Sequence, residues 1–380
     1  MMSTVAETLA SMVRVNSVNP AYGDGGSEAN MVPLMHEFFR SRGIETFEQE
    51  VFPGRHNVIA RLPGKTSRKL VLEAHTDTVS IKGMSTAPFD PFIENGRMHG
   101  RGSVDDKAGL VAMMHAVASL KADGIVPPCE VWLAAVVDEE FSYRGVVKLC
   151  EGLQAEAAIV AEPTEMRAVI ASKGVLRWRI TTRGKAAHSS KPHLGNNAIS
   201  HMSRLVLALE AENERLASVT HPLLGPGTIS VGVIKGGVQV NLVPDECSIE
   251  IDRRLLPGER AADVLRFYQG LLDELKARHP GFEAEMEDPP LLVDEALDTP
   301  ASEAVVQQAS DVLASMGLNG EPCGVPFGSD ASKLSRAGIP TIVFGPGSID
   351  QAHAADEWVE LAQVEQAVDF YRGMILGIGA

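Results

Sequence analysis

A mixed α/β sheet flanked by helices, with an α+β sandwich inserted into it, is the fold class the sequence predicts. Three observations carry this. Apolar strands such as "KLVLEAH", "VWLAAVV" and "AAIVAEP" alternate with helical segments up to residue 173, the rhythm of a sheet covered on both faces. From residue 174 the pattern changes to period-two alternation in "VLRWRITTRG" and "CSIEIDRR", which suits strands with one wet face. After "PPLLVDEALDTP" the first rhythm returns with the buried strand "PTIVFGPG". Residues 1–173 and 292–380 are therefore expected to share one domain, and residues 174–291 to form the insert.

The elements follow in order. Val5, Leu9, Met12 and Val13 stand at helical spacing. "SEANMVPLMHEFFRSRG" reads as an amphipathic helix with basic residues in its last turn and a stop at Gly43. Strands are expected at "IETFEQEV", "NVIARLPG" and "KLVLEAH", and a Gly-rich turn, "HGRGSVDDKAG", opens the helix "GLVAMMHAVASLKADG", which Gly124 stops. The run "VWLAAVVDEE", a helix near "YRGVVKLCEGL" and the strand "AAIVAEP" complete the first part. The insert carries two antiparallel-type strands and two long helices, near residues 196–218 and 259–278. A helix near residues 301–316 and a C-terminal helix finish the chain, which shows no internal repeat.

Composition narrows the function. With 380 residues the chain is long for a single core, and 44% hydrophobic with 22% charged residues is ordinary for a soluble globular protein. Fifty acidic against 34 basic side chains give a charge of −16, which repels phosphate backbones and anionic lipid. Neither nucleic acid nor membrane is an expected partner. Cys129, Cys150, Cys247 and Cys323 have no CxxC spacing, so the reading is buried thiols in a reducing compartment and not a disulfide framework or thiolate zinc site. No stretch approaches the roughly 20 apolar residues of a membrane span, and "MMSTVAETLASMVRVNSVNP" lacks the basic and apolar parts of a signal peptide. A cytoplasmic location is expected.

Polar residues collect where the buried strands end: His75 and Asp77, Asp105 and Asp106, Asp138 with Glu139 and Glu140, then Glu162. In an open α/β sheet the carboxyl ends of the strands line the ligand crevice, so these residues can converge. Clustered carboxylates repel unless protons or metal relieve them. Imidazole with carboxylates and no thiolate suits zinc, cobalt or manganese in a hydrolytic site. A single Glu at a strand end is ordinarily a solvated loop residue, so the weight rests on the ordered set. His36, His56, His115, His201, His221 and His279 have no acidic partner at fixed spacing and read as core or surface residues, while His99 and His193 lie beside motifs with their roles open.

The pieces "AHTDTV", "GRGSVDDKAG", "VVDEEF", "AEPT", "GKAAHSS", "NLVPDECSIEIDRRLLPG", "FGSDA" and "GPGSIDQAHAADEWV" fall in one order over nearly the whole chain. Together the chain resembles the zinc-dependent deacylases and exopeptidases that include acetylornithine deacetylase, succinyl-diaminopimelate desuccinylase, aminoacylase and glutamate carboxypeptidase. The resemblance implies a zinc-exopeptidase type of sheet and a lid that also dimerises. It implies that His75 binds one metal, His353 the other, that Asp105 bridges them, and that Glu140 and Glu162 complete the two spheres. Asp106 falls where the family varies, and Glu at position 162 tilts the reading towards deacylation. Glu139 matches the general base that takes a proton from a metal-bridging water. Spacing alone does not say which of Glu139 and Glu140 is base and which is ligand; that order comes from the resemblance.

Asp77 is expected to touch His75 and not the metal, fixing its tautomer, with a turn-capping aspartate as the other reading. His188 matches a histidine that reaches the partner subunit's site to stabilise the oxyanion, which implies a homodimer. Arg254 matches an arginine that grips the substrate carboxylate; Arg253, one residue earlier on a strand, is expected to face the other way into solvent. Asn241, Gly328 and Ser329 match further substrate-contacting segments. The expected protein is thus a two-metal hydrolase, with Zn2+ and alternatively Co2+ or Mn2+, that cleaves an N-acyl amino acid as acetylornithine deacetylase or succinyl-diaminopimelate desuccinylase does. A dipeptidase or carboxypeptidase acting on short peptides is the second reading, and a catalytically silent metal-binding homologue the third.

Overall fold

Strands expected before residue 173 form one sheet. They are β1 (Glu45–Phe52), β2 (Arg55–Leu62), β3 (Lys69–His75), β4 (Glu130–Val136), β5 (Ala157–Val160) and β6 (Val169–Ser172), the last not foreseen. Across the sheet the order is β1, β2, β4, β3, β5, the strand Thr341–Val343, then β6. β3 is central and parallel to β4 and β5, whereas β1 with β2, and β2 with β4, are antiparallel. β3 and β5 are buried along almost their whole length, which explains their unbroken apolar runs. This is the mixed α/β sheet predicted from the sequence.

The computed structural model describes residues 3–379. Its first unit comprises Met1–Ile170, Thr299–Cys323 and Ser329–Ala380. Here α1 (Val5–Val13) begins with a capping box between Thr4 and Glu7. The helix expected over residues 27–43 instead starts as a 3-10 turn, Glu28–Met31, before α2 (Val32–Arg40). Pro33, which lacks an N–H and crowds the preceding turn, accounts for the late start. α3 (Lys107–Ala122) buries 12 of its 16 residues, so it reads as apolar all round. Gly109 lets its first turn come close to the end of β5, because a Cβ there would lie 2.6 Å from that of Ala161. α4 (Arg144–Leu149) follows β4.

The second unit is Ala171–Asp298 with Gly324–Gly328. β7 (Gly174–Arg183), β8 (Thr228–Gly236), β9 (Glu246–Leu255) and β10 (Glu283–Met286) pair antiparallel in the order β8, β9, β7, β10, and β11 (Leu292–Asp294) also pairs with β7. α5 (Ala198–Leu216) and α6 (Ala261–Arg278) pack on the sheet through Met202, Leu205, Tyr268 and Leu272 against Trp178, Ile180, Ile249 and Ile251. Two strands were expected, and this sheet alone has five. β8 carries a bulge between Val231 and Val233, and most of its residues are exposed. An end of the insert at residue 291 is likewise corrected, since β11 is hydrogen-bonded to β7.

Arg253 is not solvated: it shares the buried face of β9 with Ile251 and Leu255, is 2% exposed, and its Nη2 donates to Glu259 at 2.6 Å. The four cysteines are free. Among the described residues no helix is long and apolar enough to cross a membrane.

Two further helices, α7 (Ala304–Ser315) and α8 (Ala331–Arg336), precede the C-terminal α9 (Leu361–Gly377), which packs against α3 in the first unit.

Candidate metal centre

His75 closes β3, the strand at the middle of the parallel group. Because Val160 of β5 lies opposite Glu73, Glu162, two residues on, comes level with His75. On the other side Val136 of β4 lies opposite His75, and Glu139 and Glu140 leave the sheet just beyond it. Asp138, between strand and glutamates, has a left-handed φ of 72°, which turns the chain sharply there. Asp105 comes from the loop that precedes α3, and His353, with φ 57°, from the loop after the 3-10 turn Ile349–Gln351.

The Asp105 carboxylate lies between two imidazoles. Its Oδ1 is 2.9 Å from His75 Nε2 and its Oδ2 is 3.1 Å from His353 Nε2, which is also 3.2 Å from Glu140 Oε1. Two ligand groups result, His75 with Asp105 and Glu162, and Asp105 with Glu140 and His353, the donor atoms of each within 4.8 Å of one another. Asp105 belongs to both. Glu139 belongs to neither.

The charge balance tests whether this set fits metal. Burial, then repulsion from Asp105 and Glu139, pushes the Glu162 carboxyl well up. Burial also raises Glu140, with Asp105 adding to it, and raises Glu139 well above the usual range against the pull of His75, with Asp330 and Glu140 adding to the rise. The imidazoles move against their burial: hydrogen bonds to Asp105 and Glu140 lift His353 to about 11, and those to Asp105 and Asp77 lift His75. Burial would raise Asp105, but the two histidines hold it low. All these shifts mean that the cluster seeks positive charge. Divalent cations meet that need and compete with protons for the same nitrogen and oxygen atoms. Donors of this kind suit zinc-class ions.

Asp77 is fully buried beside His75, and its carbonyl and carboxylate divide the contacts. The ring Nδ1 of His75 donates to the backbone oxygen of Asp77 at 3.0 Å, whereas the carboxylate Oδ1 is 3.6 Å away. A carbonyl can only accept, so Nδ1 carries the hydrogen and Nε2 is left for a metal. The carboxylate accepts the N–H groups of Glu139 and Glu140 at 3.1 and 3.2 Å. It holds the turn that bears them.

Glu357, with no role assigned from the sequence, is fully buried and accepts from Val104 N–H at 3.0 Å, Asp105 N–H at 3.2 Å and Arg101 Nη1 at 2.6 Å. It fixes the loop that carries Asp105. Glu73 is buried within β3 beside Asp330, and burial pushes it up to about 8. An acid inside an apolar strand was the available signal for it.

His188, Asn241, Arg254 and Gly328 belong to the second unit. His188 pairs with Leu242 across a short antiparallel ladder and is exposed, and Ser189 N–H donates to Asn241 O. Ser190 N–H donates to His188 Nδ1 at 3.2 Å, which leaves the ring hydrogen on Nε2. Arg254 Nε donates to Asp252 at 2.8 Å. A Cβ at Gly328 would lie 2.2 Å from Asp294 Oδ2, so a side chain there would displace the Asp294 carboxylate. Ser329, in the first unit, is 2% exposed and its Oγ accepts from Ala331 N–H. It shapes the start of α8.

Comparison with known proteins gives the family. The model of peptidase family M20/M25/M40 matches residues 71–377. An acetylornithine deacetylase of Myxococcus xanthus is 33% identical over 312 residues, 80% of this chain and 79% of that one. A peptidase M20 domain-containing protein of Schizosaccharomyces pombe is 30% identical over 358 residues, 93% of this chain and 80% of that one. The solved structure of aminopeptidase PepT from Bacillus cereus, 22% identical, shares the fold with a TM-score of 0.80 over 99% of this chain and 98% of that one. From the family match over most of its length, the chain belongs to peptidase family M20/M25/M40, metal-dependent hydrolases of amide or peptide bonds.

Proposed function

We propose that this protein is a two-metal deacylase that hydrolyses the amide of an N-acyl amino acid. The observation that carries the reading is one carboxylate, Asp105, shared by two ligand groups, with Glu139 beside them and part of neither. His75, Asp105 and Glu162 would hold one ion, and Asp105, Glu140 and His353 the other. Divalent ions there, Zn2+ first and Co2+ or Mn2+ as alternatives, supply Lewis acidity towards water and the amide carbonyl.

The chain's own groups do the rest. Glu139 takes a proton from the attacking water and returns it to the leaving amine; burial raises its affinity for that proton. Asp77 holds Glu139 by its backbone N–H, so the base keeps its place as its charge changes. His188, offered by one protomer to the site of its partner, donates from Nε2 to the oxygen that gains charge in the transition state. Arg254 grips the substrate carboxylate through its planar fork. Asn241 and the glycine backbone at Gly328 face the substrate. The Myxococcus xanthus acetylornithine deacetylase and the Glu at position 162 support a deacylase.

Replacing Glu139 with glutamine tests the reading. Metal content should stay near two per subunit while turnover of N-acetyl, N-succinyl or N-formyl amino acids falls by at least about 10²-fold. Retained turnover would remove Glu139 from the mechanism. Faster turnover of dipeptides than of acyl amino acids by the unaltered protein would favour a dipeptidase with the same centre. We also infer a cytoplasmic homodimer, and a sedimentation mass of one chain in a fully active sample would rule the dimer out.

A further inference from the structure

Behind the Glu139 and Glu140 turn, a line of buried polar groups leads to the N-terminal segment. Besides the two N–H groups of the turn, the Asp77 carboxylate accepts a third donor, Asn19 Nδ2, at 2.7 Å from Oδ2. The same Asn19 nitrogen reaches Asp138 Oδ1 at 3.0 Å. Arg55 Nη2 donates to that Asp138 oxygen at 3.0 Å, and Arg55 Nε donates to Glu28 Oε1 at 3.0 Å. Asn19, Glu28 and Asp77 are 0% exposed and Asp138 1%.

The orientation of Asn19 is determined on all sides. Its Oδ1 accepts the N–H of Ala21 at 3.1 Å, so the NH2 group must face the two carboxylates. Its backbone N–H donates to Thr78 O at 3.0 Å, and Thr78 N–H to Ser17 O at 3.1 Å, which binds the segment to the chain just after Asp77. Tyr22 adds a hydroxyl hydrogen bond to Glu140 O at 2.9 Å. Three carboxylates in this line, Glu28, Asp138 and Asp77, are linked to one another by one guanidinium and one amide. Nothing in it touches the ligand atoms directly. Yet each group restrains the next, and the last restrains the backbone of both glutamates.

We propose that Asn19 and Arg55 are positioning residues: through Asp138 and Asp77 they set the direction in which Glu139 and Glu140 leave the end of β4, and so the affinity of the metal position that Glu140 completes. This inference rests on the proposed two-metal site and goes beyond it to residues that bind neither metal nor substrate. Groups that orient ligands from behind change metal affinity by about 10- to 100-fold when removed.

The test uses the full chain, stripped of metal and titrated with Co2+ while its visible absorption is followed. Asn19→Ala should bind the second cobalt about 10- to 100-fold more weakly, with a changed ligand-field band and a lower kcat at a KM within about twofold. Arg55→Met should shift the same quantities in the same direction. Because it strands Glu28 in the interior, the pair Glu28→Gln with Arg55→Met provides a folded counterpart if the single variant fails to fold. Variants that unfold at lower temperature but keep the cobalt affinity and spectrum would overturn the proposal, since that is what a merely structural network predicts. An unaltered chain that takes up two cobalt ions and hydrolyses no amide would overturn the proposed function alone, because cobalt affinity in the variants still decides the positioning role.

Discussion

Replacing Asp77 with asparagine keeps the size of the side chain and changes only what it can accept. In the native chain Oδ1 accepts Glu139 N–H, and Oδ2 accepts Glu140 N–H together with Asn19 Nδ2. The amide oxygen can serve one side only. Its better position is the Oδ2 side, where it meets two donors, so the new NH2 group is left facing Glu139 N–H. Losing a hydrogen bond to a charged acceptor at a part-buried donor costs about 1.5 to 3 kcal/mol, and the two remaining bonds weaken because their acceptor is no longer charged. A loss of about 3 kcal/mol in stability is expected, with a further 10- to 100-fold loss of metal affinity. The base should suffer more than the ligand, because its N–H is the one abandoned. Urea unfolding of the metal-free chain reads the first quantity, and Co2+ titration with steady-state kinetics reads the others. A variant within about 0.5 kcal/mol of the native stability, with native kcat, would refute this account of Asp77.

Other expectations concern pH and the second unit. Burial, with Arg42 adding to it, lowers His115 to about 4 from 6.5. Between those values the unfolded chain binds more protons than the native one, so this residue contributes stability that is present above pH 6.5 and lost as pH falls towards 4. His115→Leu should flatten that part of the profile, and urea midpoints at pH 7 and pH 4.5 would show whether it does. Arg253→Ala should destabilise the chain by about 2 to 4 kcal/mol, because it empties a core position and leaves Glu259 with the Leu256 N–H but without its cation. Thermal unfolding no different from native would return Arg253 to the solvated role expected from the sequence.

Much of the site is visible in the sequence because each polar residue interrupts a local apolar pattern. His75 ends the run "LVLEAH", Glu139 and Glu140 end "VWLAAVV", and Glu162 follows "AAIV". Side-chain character and local period decide where such a strand stops, and they act within a few residues. They do not decide which strands become neighbours. The level position of Glu162 beside His75 follows from the Val160 to Glu73 pairing, and the convergence of His353 and Asp105 from loops 248 residues apart follows from the strand order and the helices packed on the sheet.

Residues whose partners lie far away in the chain were silent for the same reason. Glu28, Asn19 and Arg55 look like ordinary loop and strand-start residues until the fold sets Asn19 and Arg55 against Asp138, and Glu28, which is buried, against Arg55. Arg253 was placed on the correct side of an alternating strand, but only packing showed that this side is an interior with Glu259 in reach. At Asp77 the sequence supplied the residue and the structure chose its atoms: the carbonyl holds His75 and the carboxylate holds the glutamates. What the amino-acid sequence determined by itself is the set of strand-ending donors and the alternation of elements, because both are written in local period and charge. What only the tertiary structure decided is which donor meets which. Hydrogen bonds are directional over about 3 Å, and that reach is set by strand order and backbone turns formed across the whole chain.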